Sequence, residues 1–123
     1  MTYTAAVTYA LLAFPPAFVQ AALTFGAPWG VLTMGGKFPG ALPHRIRLVS
    51  ALQCLLLLTM ALVALDHGGV IEMNWPSWLI WPVLAVTALS TVANLATPSR
   101  PERLLWGPIV SAMFICIAYL AFA

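Results

Sequence analysis

Charged residues are scarce in this sequence. Only 7% of its 123 residues are Asp, Glu, Lys or Arg, while 63% are hydrophobic. Both values lie far outside the range of soluble domains, so the chain is predicted to reside in a lipid bilayer. With five basic residues and a formal net charge of +2, it has no basic stripe that could follow a phosphate backbone, which excludes nucleic acid as a partner.

Cysteine and histidine, which many metal sites need, are also rare, with two of each. Cys54 and Cys116 fall in different apolar runs, at depths that differ by about 7 Å along the helix axis, so we predict no disulfide between them. Neither cysteine has a histidine near it in sequence, and His44 has no second histidine on its side of the membrane. No metal or haem site is therefore predicted.

Catalytic patterns are missing as well. No Ser/His/Asp or Cys/His set is visible, and no two carboxylates share a helix face. The apolar runs hold no ionisable group at mid-depth, which argues against proton-coupled export. The glycine-rich passage from Gly30 is not a nucleotide-binding loop, because Lys37 comes one place late and Phe38 stands where Ser or Thr is required. We assign no catalytic residue, no metal and no cofactor.

Four long apolar segments account for most of the chain. A helix of about 20 apolar residues crosses the ~30 Å hydrocarbon core at 1.5 Å per residue. The predicted fold class is all-α, an integral membrane bundle of four transmembrane helices that forms a single domain over residues 1–123. We expect a kink at Pro15 and Pro16. The helices are expected at residues 3–25, 46–65, 75–96 and 103–123.

The connection over residues 26–45 is long and rich in glycine and proline. Long structureless connections are uncommon, so this loop is expected to have structure of its own. It shares one side of the membrane with the third connection, and all five basic residues lie at that side: Lys37, Arg45, Arg47, Arg100 and Arg103. By the positive-inside rule that side is cytoplasmic. The predicted location is the plasma membrane, as a multi-pass protein of the bacterial inner membrane with both termini outside.

Polar side chains gather near the cytoplasmic end of the four segments. Amides are costly in hydrocarbon and need partners. One interpretation is a polar pocket, open to the cytoplasm, in which the amides orient a ligand and an arginine contacts its anionic group. The predicted ligand-binding residues are Gln20, Trp29, Arg45, Arg47, Gln53, Asn94 and Glu102.

These residues also have plainer interpretations. The three amides could bond to one another or to backbone, as interhelical hydrogen bonds do in many membrane proteins. The arginines could fix the topology and contact anionic headgroups. Glu102 could pair with Arg45 or Arg47 across the two connections, or it could only favour the start of the fourth helix. Amides that line a hydrated cavity would favour the pocket, and amides bonded in a dry core would favour the plainer interpretation.

Short runs of glycine, proline and tryptophan stand around the first and third connections. They are Gly26-Ala27-Pro28-Trp29-Gly30, Gly35-Gly36, Gly40, Leu42-Pro43 with Arg45, then Asn94-Leu95, Pro98-Ser99, Glu102-Arg103 and Trp106-Gly107-Pro108. In these runs the chain resembles a group of small bacterial four-span membrane proteins usually labelled hypothetical, and the resemblance covers nearly the whole chain. It implies the four-span fold and no activity, and it marks the cytoplasmic loop and its surroundings as the distinctive part.

Two functional hypotheses follow, with a third behind them. In the first, the protein binds or translocates a small polar or anionic solute through its pocket, as a homo-oligomer because four helices hardly seal a solute pathway. In the second, it is a non-catalytic accessory or scaffold subunit of a larger membrane complex. A membrane enzyme acting on a lipid-like substrate comes third. The expected partners are membrane lipid, a small-molecule ligand, and further copies of the chain or a larger complex.

Overall fold

The protein consists of four α-helices and contains no strand, as a computed structural model of residues 1–123 shows. With the short 3-10 turn Ser77–Leu79 counted in the third helix, each helix is long and apolar enough to cross a membrane. The predicted all-α, four-helix membrane fold is confirmed, and by length and composition the chain is a multi-pass membrane protein. The helices are α1 (Thr2–Thr24), α2 (His44–His67), α3 (Ile80–Ala96) and α4 (Arg100–Phe122).

The helices extend beyond some of the predicted boundaries. Helix α2 begins two residues before the predicted range and ends two residues after it, because helical hydrogen bonding continues through polar residues that hydropathy excludes. Helix α1 remains helical on both sides of Pro15 and Pro16. Helix α4 starts earlier than predicted because Ser99 caps it, and the Ser99 hydroxyl accepts a hydrogen bond of 3.4 Å from the backbone N–H of Glu102.

The bundle has two central and two outer helices. Helix α1 packs along both α2 and α4, and α4 packs along α3, whereas α2 and α3 make few contacts with each other. The small residues on one face of α1 permit the close approach, since Ala6, Ala13 and Ala17 are all buried. The cross-section is therefore open between α2 and α3.

The apolar core fills the half of the bundle that lies away from the long loop. It includes Ala6 and Tyr9 of α1, Ala64 of α2, Ile80 of α3 and Ile117 of α4, each at most 1% exposed. All five residues stand in the halves of their helices that are distant from the first and third connections. The outer faces carry exposed Leu, Phe, Val and Ile side chains, as expected of surfaces that face lipid.

The loop between α1 and α2 folds back onto the bundle. It contains two 3-10 turns, Gly30–Leu32 and Met34–Gly36, and the backbone N–H of Gly30 donates a 2.8 Å hydrogen bond to the carbonyl oxygen of Gly40. A Cβ atom on Gly30 would overlap the carbonyl oxygen of Phe38, so only glycine permits this close approach. The loop is thus a folded element that covers one end of the helices.

Candidate functional site

A cavity of about 500 Å³ lies beneath the long loop, among all four helices. We call it the polar cavity. Its loop end is lined by Thr33, Met34 and Gly35 of the long loop and by Thr97 and Pro98 of the third connection. Apolar side chains of α2, α3 and α4 line its deeper part. Its polar lining residues are Gln20, Thr33, Gln53, Thr87, Ser90, Asn94, Thr97 and Glu102.

The three amides predicted as ligand contacts all line this cavity, and no hydrogen bond joins any of them to another. The Nε2 of Gln20 donates to the hydroxyl oxygen of Thr33 at 3.3 Å. The Nδ2 of Asn94 donates to the backbone carbonyl of Ser90, in its own helix, at 2.7 Å. Gln53 lines the cavity from α2. The amides are therefore not fastened to one another across a dry core.

One amide oxygen at this site lacks a partner. The Oε1 of Gln20 is buried and accepts no hydrogen bond. An acceptor left unsatisfied in an apolar region costs about 1–3 kcal/mol. A ligand that carries an N–H or O–H donor would recover that free energy.

Glu102 lines the same cavity and fastens the loop to α4. Its side chain is 7% exposed, and its Oε2 accepts a 2.9 Å hydrogen bond from the backbone N–H of Gly35. Glu102 also stands in the first turn of α4, where a carboxylate favours the positive end of the helix dipole. The alternative in which it pairs with Arg45 or Arg47 is wrong, because its carboxylate binds the loop backbone instead.

The remaining predicted ligand contacts lie outside the cavity. Arg45 is exposed, and Trp29 is 40% exposed on the loop. The Nε of Arg47 donates to the backbone carbonyl of Leu42 at 2.9 Å, and its guanidinium lies against Gly26. Neither arginine is among the lining residues of the cavity.

Sequence reasoning missed the loop residues that close the cavity. The Nε1 of Trp106 donates to the carbonyl oxygen of Leu32 at 2.7 Å. The hydroxyl of Ser99 donates to the carbonyl oxygen of Val31, also at 2.7 Å. These bonds hold the loop over the cavity, and Met34 takes a left-handed conformation there, with φ of 51°. The glycines near Met34 were the only sequence signal for so tight a fold.

Comparisons of the chain with protein-family models, with curated proteins and with solved structures gave no match. The polar cavity has a distinct chemistry. That chemistry consists of three amides, several hydroxyls and one carboxylate, with no basic side chain in the lining.

Proposed function

We propose that the protein binds a small polar ligand inside the membrane, in the polar cavity. The observation that carries this proposal is the cavity of about 500 Å³ into which four of the predicted contacts converge: Gln20, Gln53, Asn94 and Glu102. Ligand pockets have volumes of about 300–1,000 Å³ and combine an apolar lining with a few polar groups. Polar side chains inside a membrane are costly, and an ionisable one such as Glu102 often marks a binding or transport pathway.

The lining favours a ligand that is neutral or cationic and that donates hydrogen bonds. Glu102 is the one Asp, Glu, Lys or Arg residue in the lining, and a carboxylate repels an anion. The unpartnered oxygen of Gln20 needs a donor. The sequence-based expectation of an anionic solute depended on Arg45 and Arg47, which do not line the cavity. We therefore restrict the proposal to ligands with hydroxyl or amine groups.

An accessory or scaffold role has less support. In that role the amides would hydrogen-bond to one another or to backbone. Asn94 does bond to the backbone of Ser90, but Gln20 bonds to Thr33 and keeps an unpartnered oxygen at the polar cavity. Binding explains the arrangement of the amides better than helix association does.

We also propose that the loop end of the bundle faces the cytoplasm of a bacterial cell and that both termini are outside. All five basic residues lie at the loop end, and basic residues are enriched in cytoplasmic connections. Cysteine labelling in whole cells tests this orientation in a background with Cys54→Ser and Cys116→Ser. An impermeant maleimide should label Asn74→Cys and leave Lys37→Cys unlabelled until the membrane is opened, and the reverse pattern would overturn the orientation.

The binding proposal is tested by identifying molecules that purify with the protein. The wild-type chain is extracted in lipid nanodiscs, and its bound molecules are compared by mass spectrometry with those of the double variant Gln53→Leu, Asn94→Leu. We expect a hydroxyl- or amine-bearing molecule with the wild-type protein and at least a tenfold loss with the variant, about 1.4 kcal/mol. Asn74→Gly, at an exposed asparagine distant from the cavity, is the control. Equal amounts of the bound molecule in all three proteins would overturn the proposal.

A further inference from the structure

The polar cavity continues into an apolar groove between α2 and α3. The groove has a volume of about 180 Å³ and is lined by Leu, Val, Met and Pro side chains together with Thr59. The Thr59 hydroxyl donates to the carbonyl oxygen of Leu55, in its own helix, at 2.8 Å. Leu56, Met60 and Val86 line both the groove and the cavity. The two spaces are parts of one cleft, which we call the α2–α3 cleft.

Polarity is divided along this cleft. The amides and Glu102 stand at the loop end, and the lining towards the other end is almost wholly apolar. Along α3, the step from Asn94 to Val83 covers about 17 Å at 1.5 Å per residue. A ligand that filled the cleft would therefore need a polar group at one end and a hydrocarbon chain extending from it.

The cleft is covered by the loop at its polar end and is exposed along its side, between α2 and α3. The loop covers the polar end and is held there by its hydrogen bonds to Ser99, Glu102 and Trp106. Between α2 and α3 there are few contacts, and Leu56, which lines the cleft, is 45% exposed. A ligand would thus enter sideways from the bilayer, between the two outer helices.

Resting on the proposed function, we propose that the ligand of the polar cavity is a single-chain amphiphile that enters from the bilayer through the α2–α3 cleft. Its neutral or cationic head group lies among Gln20, Gln53, Asn94 and Glu102, and its hydrocarbon chain lies in the apolar groove. Hydrogen-bond donors on the head group would match the site, because the unpartnered oxygen of Gln20 and the carboxylate of Glu102 are both hydrogen-bond acceptors. The small volume of the groove favours one chain over two.

The head group supplies the selectivity of such a site. A hydrocarbon chain gains nothing from the hydrophobic effect when it moves from lipid into an apolar groove, since both surroundings are equally apolar. The polar head, in contrast, exchanges the bilayer for fixed hydrogen-bond partners. Substitutions at the polar end should therefore change which amphiphile binds, and bulky substitutions in the groove should block the chain by steric overlap.

Photo-crosslinking tests where the chain lies. The probes are a monoacylglycerol and a fatty acid of the same chain length, each with a diazirine in its chain, added to the protein in phosphatidylcholine nanodiscs. We expect the monoacylglycerol to crosslink to Leu56, Met60 and Val86 and the fatty acid to crosslink there about tenfold less, because its carboxylate meets Glu102. Equal crosslinking by both probes, or crosslinks spread over exposed positions such as Leu89, would overturn the proposal and identify ordinary boundary lipid.

A pair of variants on one helix supplies the matched control. Val86→Phe places a ring in the cleft, whereas Leu89→Phe places one on a surface that is 71% exposed. We expect Val86→Phe to lower groove crosslinking about tenfold and Leu89→Phe to leave it within about twofold of wild type. Both variants are first compared with wild type by size-exclusion chromatography and thermal unfolding. If both folded variants crosslink as wild type does, the chain does not occupy the cleft.

A competition measurement separates this inference from the binding proposal. Maleimide labelling of Ser90→Cys, a lining position, reports occupancy of the polar cavity in the background without native cysteines. We expect monoacylglycerol to slow labelling at concentrations at which glycerol alone has little effect. If glycerol protects as well as monoacylglycerol does, the amphiphile inference is wrong and the binding of a small polar ligand stands. If neither compound slows labelling, both proposals are wrong.

Discussion

The backbone N–H of Gly35 donates a hydrogen bond of 2.9 Å to the Oε2 of Glu102, which stands 67 positions later in the chain. This bond joins the folded loop to the first turn of α4. Gly35 takes a positive φ of 68°, a backbone conformation that glycine adopts without steric cost. Because Glu102 also lines the polar cavity, one carboxylate both secures the cover of the cavity and contributes to its chemistry.

We expect Glu102→Leu to release the loop. The substitution leaves the N–H of Gly35 without its acceptor, which costs about 1–3 kcal/mol when the group is partly buried. Each 1.4 kcal/mol raises the population of the open loop about tenfold. Limited trypsin digestion after Lys37, which is exposed on the loop, measures that population. Glu102→Gln keeps an acceptor, so its rate of cleavage should fall between those of the wild type and Glu102→Leu.

Glu72→Leu serves as the control for this measurement. Glu72 is an exposed carboxylate in the second connection, at the opposite end of the bundle. The variant carries the same change of charge and should be cleaved at the wild-type rate. If Glu102→Leu is cleaved no faster than Glu72→Leu, Glu102 does not hold the loop closed.

A second prediction separates steric overlap from backbone strain in the loop. Gly30→Ala should prevent the loop from closing, because the added Cβ overlaps the carbonyl oxygen of Phe38. Gly40→Ala meets no atom within 4 Å, although Gly40 has a φ of 80°, so it should cost only about 1–2 kcal/mol of strain. Trypsin cleavage at Lys37 should therefore rise much more in the first variant. Equal cleavage of Gly30→Ala and Gly40→Ala would contradict the close packing of the loop around Gly30.

The indole of Trp106 provides a third prediction. Trp106→Phe keeps an aromatic ring but removes the donor that bonds the carbonyl of Leu32. We expect a loss of about 1 kcal/mol in the free energy of unfolding, measured by thermal unfolding in detergent. Trp78→Phe, at a tryptophan that is 61% exposed, should change stability by less than about 0.5 kcal/mol. If Trp106→Phe loses no more stability than Trp78→Phe does, the bond to Leu32 contributes little.

Hydropathy and charge patterning sufficed to predict the four helices and their order. Such predictions succeed because an apolar run of about 20 residues has few alternatives in a bilayer. The polar cavity was predicted in part for the same reason. Gln20, Gln53 and Asn94 all stand in the loop-side halves of their helices, so the topology alone brings them to one half of the bundle.

The sequence could not reveal which side chains near the loop face the cavity. Arg45 and Arg47 lie at the correct end of the bundle, but depth does not specify the direction in which a side chain points, and Arg47 bonds the carbonyl of Leu42. The fold of the loop depends on backbone hydrogen bonds to Ser99, Glu102 and Trp106. Every residue except proline carries the same backbone carbonyl and N–H groups, so the pattern of side chains does not specify these bonds.

The last prediction concerns the hydroxyl pair that joins α1 to α3. The hydroxyl oxygens of Tyr9 and Thr87 are 2.8 Å apart in the core, and the Thr87 hydroxyl also donates to the carbonyl oxygen of Val83. Tyr9 is therefore the donor of the pair. Tyr9→Phe removes that donor and should cost about 0.6 kcal/mol, the average for hydrogen bonds between membrane helices. Tyr3→Phe, at an exposed tyrosine of the same helix, should cost less.

Thr87→Val should cost more than Tyr9→Phe, because it leaves the hydroxyl of Tyr9 buried without an acceptor, at about 1–3 kcal/mol. In the double variant no unpaired hydroxyl remains, so its loss of stability should be smaller than that of Thr87→Val alone. A double-mutant cycle of the free energies of unfolding measures this coupling. Additive losses would contradict a bond between Tyr9 and Thr87. Since Thr87 also lines the polar cavity, the same cycle would show how firmly the cavity wall is fixed to α1.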